Sequence, residues 1–95
     1  MTQYLVELYI SRANCAAAAL ASTRLASAAA ALTAEERRVE LVRSIFVPED
    51  ETCFVLVEAA TAEDVHETAR RAAVAYERIV ETAADLTRNE RSTSR

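Results

Sequence analysis

The chain opens with a segment in which alternate positions share their character, as is typical of a β-strand that is buried on one face. Within Gln3–Ile10, one face carries Tyr4, Val6, Leu8 and Ile10. The opposite face carries Leu5, Glu7 and Tyr9. This pattern predicts a first strand over residues 3–10.

Residues 15–32 predict a long helix, because alanine dominates them and neither glycine nor proline interrupts them. The few larger apolar residues in this segment are Leu20, Leu25 and Leu32. Alanine is only weakly hydrophobic and Arg24 divides the run, so we expect this helix to pack closely on a sheet and not to span a membrane. The following Thr33-Ala34-Glu35-Glu36 fits either one further helical turn or a polar connector, and we favour the connector.

Two further strands follow, over Val39–Val47 and Thr52–Ala59. Pro48 and the three acidic residues after it predict a turn that joins them into a hairpin. Residues 52–59 are almost continuously apolar, which is typical of a strand that is buried on both faces.

A second helix is predicted from the N-cap Thr61 to about Ala75, with Glu63 and Asp64 in the first turn where the helix dipole favours acidic side chains. Its predicted apolar stripe consists of Ala62, Val65, Ala69, Ala72, Ala73 and Tyr76. A short fourth strand is predicted over residues 78–83. Residues 87–95 are polar and without pattern, so we interpret them as a flexible tail after a single domain of residues 1–86.

The element order β-α-β-β-α-β predicts an α+β ferredoxin-like sandwich, with a four-stranded antiparallel sheet and two helices on one face. Its uncovered face would carry Leu5, Tyr9, Leu41, Ile45, Phe54 and Leu56. This is more contiguous apolar surface than a monomer usually exposes. We therefore expect a homodimer in which two sheets stack face to face.

Charge and cysteine content narrow the functional classes. The formal net charge is −4 and acidic residues alternate with the arginines, so neither a nucleic-acid partner nor a membrane surface is expected. Two cysteines are too few for a disulfide framework, which favours the cytoplasm. The chain contains no glycine, and hence neither a nucleophile elbow nor a phosphate-binding loop. We therefore favour a protein that is not an enzyme.

Several segments resemble a known family of small ferredoxin-like domains of unknown function that is typified by a nickel-binding protein. The resemblance is most specific over Arg43–Phe54, and it extends to Tyr4–Glu7, Val57–Ala59 and Glu77–Glu81. It implies a dimer and a site for nickel or another transition metal. Among the thiols it carries over only Cys53.

The predicted metal ligands are His66, Cys53, Glu63 and Glu67. His66 is the single histidine, and Glu63 precedes it by one helical turn. A solvated surface histidine and a cysteine packed in the core are the competing interpretations of these residues. Cys15, at the start of the first helix, is a second candidate thiol, with an alanine-like packed cysteine as its competing interpretation.

Two other functions remain open at this point. The same topology builds dimeric α+β barrels that bind a small molecule, or oxidise one without a cofactor, in an apolar cavity; Tyr4, Tyr9, Tyr76, Phe46 and Phe54 are candidates to line it. A structural or accessory dimer without any ligand is the third possibility.

Overall fold

The structure is a computed structural model that describes residues 1–83 of the 95-residue chain. Its elements in chain order are β1 (Thr2–Tyr9), α1 (Cys15–Ala34), β2 (Val39–Val47), β3 (Thr52–Ala59), α2 (Ala62–Ala72) and β4 (Arg78–Glu81). The predicted tail, residues 87–95, and the last predicted residues of the domain, 84–86, lie outside the described residues.

The four strands form one antiparallel sheet in the order β2-β3-β1-β4. β1 and β3 occupy the centre, and both helices pack on the same face. This is the predicted ferredoxin-like arrangement, and it follows from two β-α-β units whose helices cross over the same side of the sheet.

The core lies between that face and the helices. Its largest fully buried side chains are Leu8, Leu25, Leu32, Val6, Val55 and Val65. Burying a side chain of this size contributes about 1.5–3 kcal/mol, so this layer supplies most of the stabilisation. The prediction of which side chains of β1 face the core is confirmed, because Tyr4, Val6 and Leu8 are buried while Tyr9 is 59% exposed.

α1 is long and apolar enough to cross a membrane by length and composition alone. Here it instead forms part of the core, into which it buries Ala18, Ala21, Leu25, Ala28, Ala29 and Leu32. Leu20 does not share that face and is 52% exposed. The helix ends at Ala34, two residues later than predicted, so Thr33 and Ala34 belong to it and the polar connector comprises only residues 35–38. The hydroxyl of Thr33 donates a hydrogen bond to the carbonyl oxygen of Val39 at 3.0 Å and accepts one from its N–H at 3.1 Å.

The predicted position of Leu41 on the uncovered face is wrong. A β-bulge between Leu41 and Arg43 inserts Val42, which shifts the alternation by one residue. Leu41 consequently pairs with buried Val57 and packs against the core. Ile45 pairs with Phe54 beyond the bulge and does lie on the uncovered face, where it is 49% exposed.

β3 was predicted to be buried on both faces, and in a single chain it is not. Cys53, Val55, Val57 and Ala59 are buried, whereas Phe54, Leu56 and Glu58 between them are half-buried. We define the open face as the uncovered side of the sheet, with apolar side chains at Leu5, Tyr9, Ile45, Phe54, Leu56 and Val80.

α2 ends three residues earlier than predicted, at Ala72, and β4 ends at Glu81 instead of Ala83. Ala73 adopts a left-handed conformation with φ 56°, and the N–H groups of Ala73 and Val74 close the last turn on Arg70 and Ala69. This is a C-cap that glycine normally provides, and the chain contains no glycine.

The hairpin between β2 and β3 is confirmed, and a short 3₁₀ turn over Pro48–Asp50 forms it. Glu51 leaves the turn in the left-handed conformation, with φ 51°. Its carboxylate accepts a hydrogen bond from the N–H of Arg12 at 3.0 Å, which ties the hairpin to the β1–α1 connection.

Candidate metal site

The site lies near the N-terminus of α2. The predicted N-cap residue, Thr61, determines where this helix begins. The hydroxyl of Thr61 accepts a hydrogen bond from the N–H of Asp64 at 3.3 Å. Val65 and Ala69 bury the inner side of the helix, so Glu63 and His66 lie one turn apart on its exposed side. A glutamate and a histidine at this spacing are a pair of metal ligands used on helices elsewhere.

The His66 ring is held by a residue that follows the helix. Its Nδ1 lies 2.6 Å from the hydroxyl oxygen of Tyr76, and the two ring centroids are 5.5 Å apart with a tilt of 57°. Tyr76 reaches the ring because Ala73 reverses the chain at the end of α2. Within residues 1–83, Nε2 of His66 makes no hydrogen bond, which leaves it as the nitrogen available to a ligand.

A surface cleft of about 590 Å³ surrounds this pair. It is lined by Arg37, Glu63, His66, Glu67, Arg70, Val74 and Tyr76. Three of the four predicted metal ligands therefore line one cleft, which we call the His66 cleft.

Glu67 is engaged by two arginines. Its carboxylate accepts hydrogen bonds from Arg70 at 2.8 and 2.6 Å and from Arg71 at 2.7 Å. These guanidinium groups lower the pKa of Glu67 to about 2. Both carboxylate oxygens of Glu67 thus already accept hydrogen bonds from guanidinium groups. Among residues 1–83, the carboxylate of Glu63 makes no such bond.

Arg71 also reaches Glu35 in the connector after α1, at 2.8 and 3.0 Å. These bonds lower the pKa of Glu35 and raise that of Arg71. Arg37, from the same connector, donates two hydrogen bonds to Asp64 at 2.8 and 3.0 Å. The connector is therefore fastened to α2, and Arg37 is held at the rim of the cleft.

Cys53 does not join these residues. It is 1% exposed and pairs with Leu8 and Phe46 at the beginning of β3, whereas α2 follows the other end of that strand. Its burial raises the pKa of the thiol, so its surroundings disfavour the thiolate that a metal requires. Cys15 is exposed, and both thiols are free.

A transition metal bound by nitrogen and oxygen needs several ligands close together. In the part of the chain that the structure describes, no three His, Cys, Asp or Glu side chains cluster closely enough to hold a metal ion. The cleft nevertheless contains an imidazole and a carboxylate one helical turn apart, two ligand types that a transition metal accepts.

The aromatic residues do not line one common pocket. Tyr4 is buried and Phe46 packs against the core, Tyr9 and Phe54 belong to the open face, and Tyr76 lies in the His66 cleft. Tyr9 lines a separate, smaller cleft of about 240 Å³ between the end of β1, α1 and the residues after α2, so the described pockets give the predicted aromatic-lined cavity no support.

Sequence reasoning missed the contributions of Tyr76 and Arg37 to the cleft. Tyr76 follows His66 by ten residues and was placed on the buried stripe of a longer helix. Arg37 is 27 residues from its partner Asp64, and no local pattern connects the two.

Comparison with known proteins places the chain in a family. The family described as "nickel responsive protein SCO4226-like" matches residues 4–82. The crystal structure of SCO4226 from Streptomyces coelicolor A3(2) is similar, with a TM-score of 0.58, 20% sequence identity, and coverage of 87% of this chain and 98% of that one. A comparison with curated proteins gave no match. Since the family match extends over most of the sequence, the chain belongs to the nickel-responsive SCO4226-like proteins.

Proposed function

We propose that the protein is a homodimer that binds nickel, or a related transition metal, without catalysing a reaction on it. The observation that carries the proposal is the pair formed by Glu63 and His66 on the exposed side of α2, in a chain whose family is described as nickel responsive. Storage, buffering and sensing of the metal all require such a site.

His66 would supply Nε2 to the metal, because Tyr76 occupies Nδ1. A histidine that ligates a metal through one nitrogen usually makes a hydrogen bond through the other, which fixes the orientation of its ring. Glu63 would supply a carboxylate from the preceding turn. Glu67 supports the site by holding Arg70 and Arg71, and Cys53 contributes to the core.

The open face is the surface we assign to the second copy. Leu5 pairs with both Leu56 and Val80, and Ile45 pairs with Phe54, so apolar side chains form a continuous patch across all four strands. Arg43 and Glu58 lie on the same face, and an ion pair between Glu7 and Arg78 at 3.0 Å lies beside Phe54 within it. An apolar patch of this extent is typical of a surface that associates with another protein.

The open face and the His66 cleft lie on opposite sides of the sheet, since α2 packs on the covered side. A dimer built on the open face therefore keeps its two clefts apart. Each chain is expected to bind its own metal ion, and the remaining coordination positions must be filled by water or by another small ligand.

Calorimetry on chelator-stripped protein tests this function. Nickel, zinc, copper and cobalt ions are titrated into the wild type and into the variants His66→Ala, Glu63→Gln and Cys53→Ala. We expect one nickel ion per chain, with binding lost in His66→Ala, weakened in Glu63→Gln and unchanged in Cys53→Ala.

Heats in the wild type that equal those of His66→Ala would refute nickel binding at this cleft. A loss of binding in Cys53→Ala, in protein shown to be folded by circular dichroism, would instead move the site to the core thiol.

A further inference from the structure

A groove on the surface of the molecule runs between α1 and the end of α2. It consists of two clefts of about 520 and 240 Å³ that adjoin each other, since Arg24 and Ala73 line both of them. We propose that this interhelical groove binds one fatty-acid molecule, whose carboxylate pairs with Arg24 and whose alkyl chain lies along the smaller cleft. The site does not depend on the metal ligands of the His66 cleft.

The groove forms because α2, with 11 residues, is shorter than α1, with 20. The larger cleft lies between α1 and the last turn of α2, and the smaller one lies between α1 and residues 73–75. The alanine side chains of α1 are too small to fill this space. Their lining positions run from Ala17 to Ala31, about 21 Å of helix, which suits an extended chain better than a compact ligand.

Apolar side chains make up most of the smaller cleft. Leu8, which is buried, lines it together with Ile10 and Val74, which pack against the core. Leu20 lines it as well and is 52% exposed, whereas the other two leucines of α1 are buried. An alkyl chain in this cleft would remove these apolar surfaces from water, which is the main source of affinity for such a ligand.

The charge of the groove favours an anionic headgroup. Among residues 1–83, the guanidinium of Arg24 makes no hydrogen bond and no ion pair, whereas Arg71 in the larger cleft is bonded to Glu35 and Glu67. None of the described residues that line either cleft is acidic. A single unpaired guanidinium beside an apolar cleft complements one carboxylate on one alkyl chain.

Fatty acids of graded length test the alkyl part of the site. Calorimetry of the full-length protein is carried out with butanoate, hexanoate and octanoate at concentrations below micelle formation. We expect one molecule per chain and an affinity that rises about two- to fourfold with each added methylene. Octanol has the same chain without the charge, and it should bind at least about tenfold more weakly than octanoate.

Three variants locate the ligand. Arg24→Gln should weaken octanoate binding at least about tenfold and leave octanol binding unchanged, because only the contact with the carboxylate is lost. Arg38→Gln is the matched control, as an exposed arginine that lines neither cleft. Ile45→Glu alters the open face, the other apolar surface of the molecule, and should bind octanoate as the wild type does.

Equal octanoate affinities for Arg24→Gln and Arg38→Gln would overturn the inference. So would a loss of octanoate binding in Ile45→Glu, which would place the alkyl chain on the open face. Binding that weakens as the protein concentration rises would mean that a second copy of the chain fills the groove instead. An absence of heat with all three fatty acids would also refute the site, and it would leave the proposed nickel binding untouched because that is measured without them.

Discussion

The Nδ1 atom of His66 and the hydroxyl oxygen of Tyr76 lie 2.6 Å apart, although ten residues separate them in the chain. The contact joins the middle of α2 to the loop that follows it. Among the described residues it leaves Nε2 as the ring nitrogen of His66 that can act as a ligand, and it makes the orientation of that nitrogen depend on the way α2 ends.

Replacing Tyr76 with phenylalanine removes the hydroxyl and keeps the ring. We expect nickel affinity to fall about 10- to 100-fold, as is usual when the hydrogen-bond partner of a metal-ligating histidine is lost. Tyr9→Phe is the matched control, because Tyr9 lies on the open face and is 59% exposed. Equal affinities for the two variants would mean that Tyr76 does not position the ligand.

Ala73 is left-handed at the end of α2, and the Cβ atom of alanine disfavours that conformation. Ala73→Gly should therefore raise the free energy of unfolding by about 0.5–1 kcal/mol, measured by denaturation in urea. The same exchange at Ala26, an exposed position inside α1, should lower it by about 1 kcal/mol. If both variants lose stability, the left-handed cap is not a source of strain.

The ion pairs of Glu67 predict a dependence of stability on acid. Its pKa is lowered from 4.5 to about 2 in the folded protein, so its contribution is complete above pH 4.5 and disappears as the pH falls toward 2. Thermal melts of the wild type and Glu67→Gln should differ at neutral pH and converge near pH 2. Glu40 lies on the exposed edge of the sheet, so the difference in melting temperature between Glu40→Gln and the wild type should not disappear in this way. A difference between Glu67→Gln and the wild type that stays constant with pH would contradict the role of the Glu67 ion pairs.

A new charge among the apolar side chains of the open face, at Ile45 on β2, should separate the proposed dimer, because it would be desolvated without a partner. We expect light scattering to give a dimer for the wild type and a monomer for Ile45→Glu. Leu20→Glu is the control, since Leu20 is equally exposed but lies on α1. If Ile45→Glu and Leu20→Glu both have the mass of a dimer in solution, the open face is not the interface.

The fold followed from the sequence because its signals are local and repeat along the chain. Alternation identified β1, and Thr61 marked the start of α2. The errors arose where one residue departs from the pattern. Val42 forms a bulge that reverses the side on which Leu41 lies, and Ala73 ends a helix although no glycine is present to mark the end.

The candidate site was predicted only in part, because its contacts join distant parts of the chain. The sequence drew attention to His66 and to Glu63 one turn before it. It contained no sign that Tyr76 would meet His66, or that Arg37 would meet Asp64. Nor did it show that Arg70 and Arg71 would surround Glu67 while Cys53 lay in the core.

Because both helices lie on one side of the sheet, the sheet separates the polar His66 cleft from the apolar open face. Substitutions around His66 do not touch the side chains of Leu5, Phe54 or Leu56 on the opposite side. The two surfaces can therefore change independently of each other. In a dimer built on the open face, the two His66 clefts would face outward in opposite directions. Each cleft would then bind its ligand independently of the other.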